Sequence, residues 1–136
     1  MALDIRGVAP LLSVFDMPTA VRFYRDKLGF KVVSTSPVMG EDFFHWCLLR
    51  LGDAELMLNT TYEFNDERPA QEDAARVAGH QDTCLYFGCP DVEAAYRLLR
   101  ESGVEAKRPI VTGYGMKQMY LLDPDGYQLC FQWRAD

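Results

Sequence analysis

An internal repeat constrains this chain more than any other feature. The segment from Asp16 to Asp26 lies on that from Asp91 to Glu101 at a constant shift of 75 positions. The two match at an Asp, an Ala and two Arg, and several apolar positions stay apolar. A repeat of this kind means one supersecondary unit used twice, with the copies covering each other's apolar faces. Both segments read as amphipathic helices. Met17, Ala20, Val21, Tyr24 and Leu28 form one face at helical spacing, and Val92, Ala95, Tyr96 and Leu99 repeat it. Asp16 and Asp91 are placed to accept from the free N–H groups of the first turns. Gly29 and Gly103 stand just past the ends, where a left-handed residue closes a helix.

Strand patterns fill the remainder. Leu11–Phe15 precedes the first helix, and Phe30–Ser34, Phe43–Leu51 and Ala54–Leu58 follow it. Thr83–Phe87 precedes the second, followed by strands over 106–111, 116–122 and 127–133. Gly52-Asp53 and Asp123-Pro124-Asp125-Gly126 supply turns between the last strands of each copy. The order is β-α-β-β-β twice, an α+β fold. The first module spans about 7–62 and the second about 82–135. A charged linker over about 63–81 joins them, with a short helix around Gln71–Val77. The 136 residues suit one domain holding both modules.

The charge of −6, with Lys and Arg scattered, argues against a nucleic-acid groove, which needs clustered cations. No apolar run approaches the roughly 20 residues that span a bilayer, and the first residues lack the pattern of a secretory signal. A cytoplasmic location is the resulting expectation. Cys47, Cys84, Cys89 and Cys130 contain no C-x-x-C pair and read as small buried hydrophobes.

Three stretches carry a resemblance: Phe23-Tyr24-Arg25-Asp26-Lys27-Leu28-Gly29-Phe30, the Asp91-Val92…Ala95-Tyr96…Leu99 helix, and Tyr114-Gly115-Met116-Lys117 followed by Asp123-Pro124-Asp125-Gly126-Tyr127. In these the chain resembles the vicinal oxygen chelate superfamily, which includes glyoxalase I, bleomycin-resistance proteins, fosfomycin-resistance enzymes and extradiol dioxygenases. The resemblance implies two βαβββ modules whose sheets form a shared cleft, and a homodimer. In the enzymes of the family it also implies a divalent metal held from the first and fourth strands of each module. The matching positions here are Ala9, Met57, Cys84 and Cys130, with Glu55 replacing Met57 if the fourth strand is shifted. Ala carries no donor, and a thioether suits hard cations poorly. No metal and no cofactor are therefore expected.

Without a metal, the cleft reads as a site for a small organic molecule such as an antibiotic or metabolite. The inward set continues by twos along each strand: Glu55 and Asn59 beside Met57, Tyr86 beside Cys84, and Gln128 and Gln132 beside Cys130, with Trp46 and Tyr114 adding aromatic surface. The alternative is a glyoxalase- or dioxygenase-type enzyme with an aberrant metal site or metal-free acid–base chemistry. Glu55 would then be the base and Tyr86 or Tyr114 the polarising donor. A cysteine nucleophile is a further idea, with Cys84 and Cys130 expected to face each other across the cleft.

Overall fold

The computed structural model describes residues 1–136. The first module runs β1 (Leu11–Val14), α1 (Met17–Arg22), β2 (Lys31–Thr35), β3 (Trp46–Leu51) and β4 (Ala54–Thr60). After the linker helix α2 (Ala74–Gly79), the second runs β5 (Cys84–Gly88), α3 (Val92–Glu101), β6 (Ile110–Val111), β7 (Met116–Leu122) and β8 (Gln128–Arg134). The sheets have the same order, β1-β4-β3-β2 and β5-β8-β7-β6, with the first and last strands of each module parallel. No helix is long and apolar enough to cross a membrane.

The helix signals act as read. Asp16 accepts from the Thr19 N–H and Asp91 from the Ala94 N–H. Gly29 and Gly103 take φ of 94° and 80°, which the absence of a Cβ permits. Three boundaries differ from the sequence reading. Helix α1 passes into a π-turn over Phe23–Lys27, where the Phe30 N–H reaches back to the Tyr24 carbonyl. Strand β3 begins at Trp46, because Asp42 (φ 53°) turns the chain and Phe43 bridges only Gly40. Strand β6 shrinks to two residues, since Pro109 has no N–H to offer a ladder.

One core serves both modules. Leu12, Val14, Leu49, Leu56 and Leu58 of the first sheet and Met119, Leu121 and Leu129 of the second are buried together with Met17, Val21, Tyr24, Val92 and Leu99. Along each strand the alternate residues point to the opposite, open face.

The polar side of the junction is built on the turn between β7 and β8. Asp123 is buried and accepts three bonds, from the Asp125 and Tyr127 N–H groups and from the Tyr24 hydroxyl at 2.6 Å. Asp125 accepts from the Phe15 N–H at 2.8 Å and from Arg76 at 2.9 Å. The Ser13 N–H donates to the Tyr127 hydroxyl. His80 stacks on the Tyr127 ring, with centroids 3.9 Å apart, and donates to the Asp125 carbonyl through Nδ1. A Cβ at Gly126 would clash with the Val77 carbonyl oxygen, so the turn and α2 close up only with glycine there.

Burial pushes the Asp125 carboxyl up to about 7, and the Asp123 and Glu72 carboxylates add to the rise, while the Phe15 N–H opposes it. The folded value lies above that of an unfolded Asp, so this group's contribution is full below about pH 4 and is lost as pH rises through about 7. In urea unfolding between pH 5 and 8, the wild type should lose about 2 kcal/mol relative to Asp125→Asn as pH rises. A constant gap between the two proteins would contradict the raised carboxyl.

Candidate functional site

The strand pairing decides the register left open in the sequence. Leu11 stands opposite Met57 in the first module as Tyr86 stands opposite Cys130 in the second. Met57 is therefore the counterpart of Cys130, and Glu55 falls where Gln128 stands.

Strand alternation places Cys84, Tyr86, Gln128, Cys130 and Gln132 on the open face of the second sheet, since Leu85, Leu129 and Phe131 turn toward the core. There they meet two residues the sequence reading did not single out, Gln118 and Tyr120 on β7. The hydroxyls of Tyr86 and Tyr120 bond at 3.2 Å, and Tyr120 donates to the Gln118 Oε1 at 3.1 Å. The Gln118 amide nitrogen donates in turn to the Gln132 Oε1 at 2.9 Å and to the Tyr114 hydroxyl at 3.2 Å. Gln118 is 3% exposed, so its amide is a fixed hub with both ends satisfied. The rings around it are open: Tyr86 is 55% and Tyr114 74% exposed. A signal for the missed pair did exist. Gln118 and Tyr120 alternate with the apolar Met119 and Leu121, which is how a strand shows a polar face.

None of the side chains in this set carries a fixed charge. Its thiols are held protonated: burial pushes Cys84 and Cys130 up, with the Tyr86 and Tyr120 hydroxyls opposing it. The hydroxyl bond from Tyr86 raises the Tyr120 phenol, and burial adds to this. Cys84 and Cys130 do not face each other across a cleft. The parallel pairing of β5 with β8 puts them on neighbouring strands of one sheet, with Cys84 opposite Gln128. Away from this face, burial pushes the fully enclosed Cys47 up to about 12.

The open face of the first sheet carries Trp46, Glu55, Met57 and Asn59, all half-buried. Glu55 accepts two bonds from Arg50, the shorter 2.7 Å, and Asn59 donates to the Thr60 carbonyl. No hydrogen bond, ion pair or ring contact joins this group to Tyr86, Tyr114 or Gln132. The residues at the family's metal positions do not fit a hard divalent ion: Ala9 offers no donor, Met57 a thioether, and Cys84 and Cys130 soft sulfur ligands. The two histidines do not make up the set: His45 is bonded to the Thr60 hydroxyl, and His80 belongs to the turn junction.

Residues 8–131 match the family model described as the glyoxalase/bleomycin resistance protein/dioxygenase superfamily, and the chain belongs to that superfamily. No curated protein matches. Several solved structures share the fold. A glyoxalase/bleomycin resistance protein/dioxygenase from Nocardioides has a TM-score of 0.71 at 19% identity, over 99% of this chain and 87% of that one. The bleomycin resistance determinant encoded on transposon Tn5 has 0.68 at 20%, over 96% and 98%. An antibiotic-binding protein from a Streptomyces species has 0.65 at 24%, over 98% and 99%. At such identities the likeness shows the fold.

Raised thiols should make poor nucleophiles. With iodoacetamide at pH 7.5 and mass mapping, Cys47 and Cys130 should stay unlabelled in the native protein. Cys84 and Cys89 should react at least about 10-fold more slowly than in the urea-unfolded chain. Native labelling of Cys84 or Cys130 faster than in the unfolded chain would show an activated thiol instead.

Proposed function

We propose that this member of the superfamily is a metal-independent binding protein for a small uncharged aromatic molecule, held without chemical conversion on the open face of the second sheet. The bonded series Tyr86–Tyr120–Gln118–Tyr114 carries this reading. It offers rings for stacking together with hydroxyl and amide groups already locked in place, so little ordering remains to be done on binding. The free end of Tyr114 and the amide nitrogen of Gln132 remain to donate to carbonyl or hydroxyl oxygens of a ligand. The poor donor set at the family's metal positions supports a site that works without an ion. Relatives of the same fold described as antibiotic-binding or bleomycin-binding make a drug-like ligand a natural class to test.

A single chain leaves this face open, and we take a second copy to complete it. Two outward surfaces are left by the way the modules share their core: Tyr86, Tyr114 and Leu122 in the second module, and Leu11 in the first. Leu3, Ile5 and Val8 add further exposed apolar side chains ahead of β1. Laying the first module's open face of one copy over the second module's face of its partner would bring Trp46 and Met57 to Tyr86 twice, once at each end of a twofold dimer. Glu55, the base of the enzymatic alternative, is held by Arg50 and has no acid partner on its face.

A thermal-shift screen of planar aromatic compounds tests this reading, because a ligand that binds only the native state raises the melting temperature by mass action. For any hit, Tyr86→Ala and Gln118→Leu should each weaken binding about 10-fold or more, the value of a lost stacking or hydrogen-bonded contact. A shift that survives both substitutions would place the ligand elsewhere.

A further inference from the structure

The chain as a whole is acidic, but half of its unpaired cations are gathered in one place. Of its 14 Lys and Arg, six pair with carboxylates: Arg6, Arg25, Arg50, Arg68, Arg76 and Lys117. Of the eight that do not, four line a single cavity of about 1110 Å³: Arg22, Lys27, Arg100 and Lys107. It lies where the modules meet on the helix side, between α1, the segment after α3, and the end of β7; it borders the sheet face at Tyr120 and Gln128 but does not reach Tyr86, Tyr114 or Gln118.

The lining is amphipathic. Phe23, Val104, Leu121, Leu122 and Pro124 supply an apolar wall, and Gln81 brings an exposed amide with no partner. Lys27 already donates to the Ser102 carbonyl and Arg100 to the Tyr96 hydroxyl, but each keeps further donors. Arg22 and Lys107 make no side-chain bond to the protein. Against the four cations the lining holds two carboxylates, the exposed Glu105 and Asp123, which is buried and bonded to Tyr24; Asp26 and Asp42 stand near Arg22 outside the lining. In a protein of charge −6, such a concentration of unpaired cations on a concave surface attracts anions against the overall field.

We infer that this cavity is a second binding site, for an amphipathic organic anion: an aromatic or aliphatic body against the Phe23–Leu121–Pro124 wall, and a carboxylate, sulfonate or phosphate head among Arg22, Arg100 and Lys107. The size suits a drug-sized or metabolite-sized molecule. This inference does not rest on the reading of the sheet face, which the cavity borders at Tyr120 and Gln128, and its test keeps the two apart.

Fluorescence titration with 8-anilinonaphthalene-1-sulfonate, compared with its uncharged analogue N-phenyl-1-naphthylamine, decides the matter. The sulfonate should bind saturably at one site per chain, and its Kd should rise about 10-fold in the triple variant Arg22→Gln/Arg100→Gln/Lys107→Gln. Added NaCl should weaken the sulfonate in the wild type and much less in the triple variant, a comparison whose wild-type arm needs no substitution to fold. The uncharged probe should change less than about 2-fold, and Tyr86→Ala/Gln118→Leu should leave the sulfonate within the same range. Sulfonate binding that ignores both salt and the triple substitution would overturn the anion site. So would binding lost only on Tyr86→Ala/Gln118→Leu, which would move the anion to the sheet face.

Discussion

The structure depends on two buried carboxylates in one turn. Asp123 and Asp125 receive the Tyr24 hydroxyl from α1, the Phe15 N–H beyond β1, and Arg76 from the linker helix. A carboxylate can be buried only where donors replace its lost water, and here three of the five donors, Tyr24, Phe15 and Arg76, come from the other module or from the linker. The turn can therefore be buried only if both modules and the linker are in place. Phe30 against Phe87, at 6.1 Å between centroids, continues the same junction in apolar form.

That junction fixes which surfaces are left to meet other molecules. The modules spend their apolar faces on one common core, so the opposite sheet faces stay open. On the second sheet the open face is polar without being charged, and its central amide is immobilised by three neighbours, Tyr114, Tyr120 and Gln132, rather than by solvent. Such a face selects by shape and hydrogen bonding. Four cations stand on the helix side instead, around a cavity bounded by both modules, so one chain offers two chemically different surfaces.

Much of the architecture was legible in the amino-acid order because its causes are local. Capping Asp, helical apolar spacing and terminal Gly repeat at Asp16–Gly29 and Asp91–Gly103, and each acts within a few residues of itself. Alternation along β4, β5 and β8 is likewise local, separating the residues that turn to the core from those that do not. What escaped is long-range. Asp123-Pro124-Asp125-Gly126 reads as a turn, and nothing nearby shows that Tyr24, 99 residues earlier, needs its carboxylate. Gln118 and Tyr120 went unremarked because strand β7 has no position in the family's metal pattern, although their alternation was visible. The relation of Cys84 to Cys130 was misjudged because strand neighbours follow from topology, and β5 pairs with β8 across two intervening strands and a helix.

We propose that the ligand face of one chain is completed by the first module of another. Mixing two defective variants tests this most directly: Trp46→Ala/Met57→Ala, which damages the first sheet's face, and Tyr86→Ala, which damages the second. Each alone should fail to bind a compound found to stabilise the wild type. Co-refolded at equal amounts, they should regain about a quarter of the wild-type sites, since half of random twofold pairs are mixed and each mixed pair has one intact site of two. Mixed dimers that form and yet recover no binding would contradict the account.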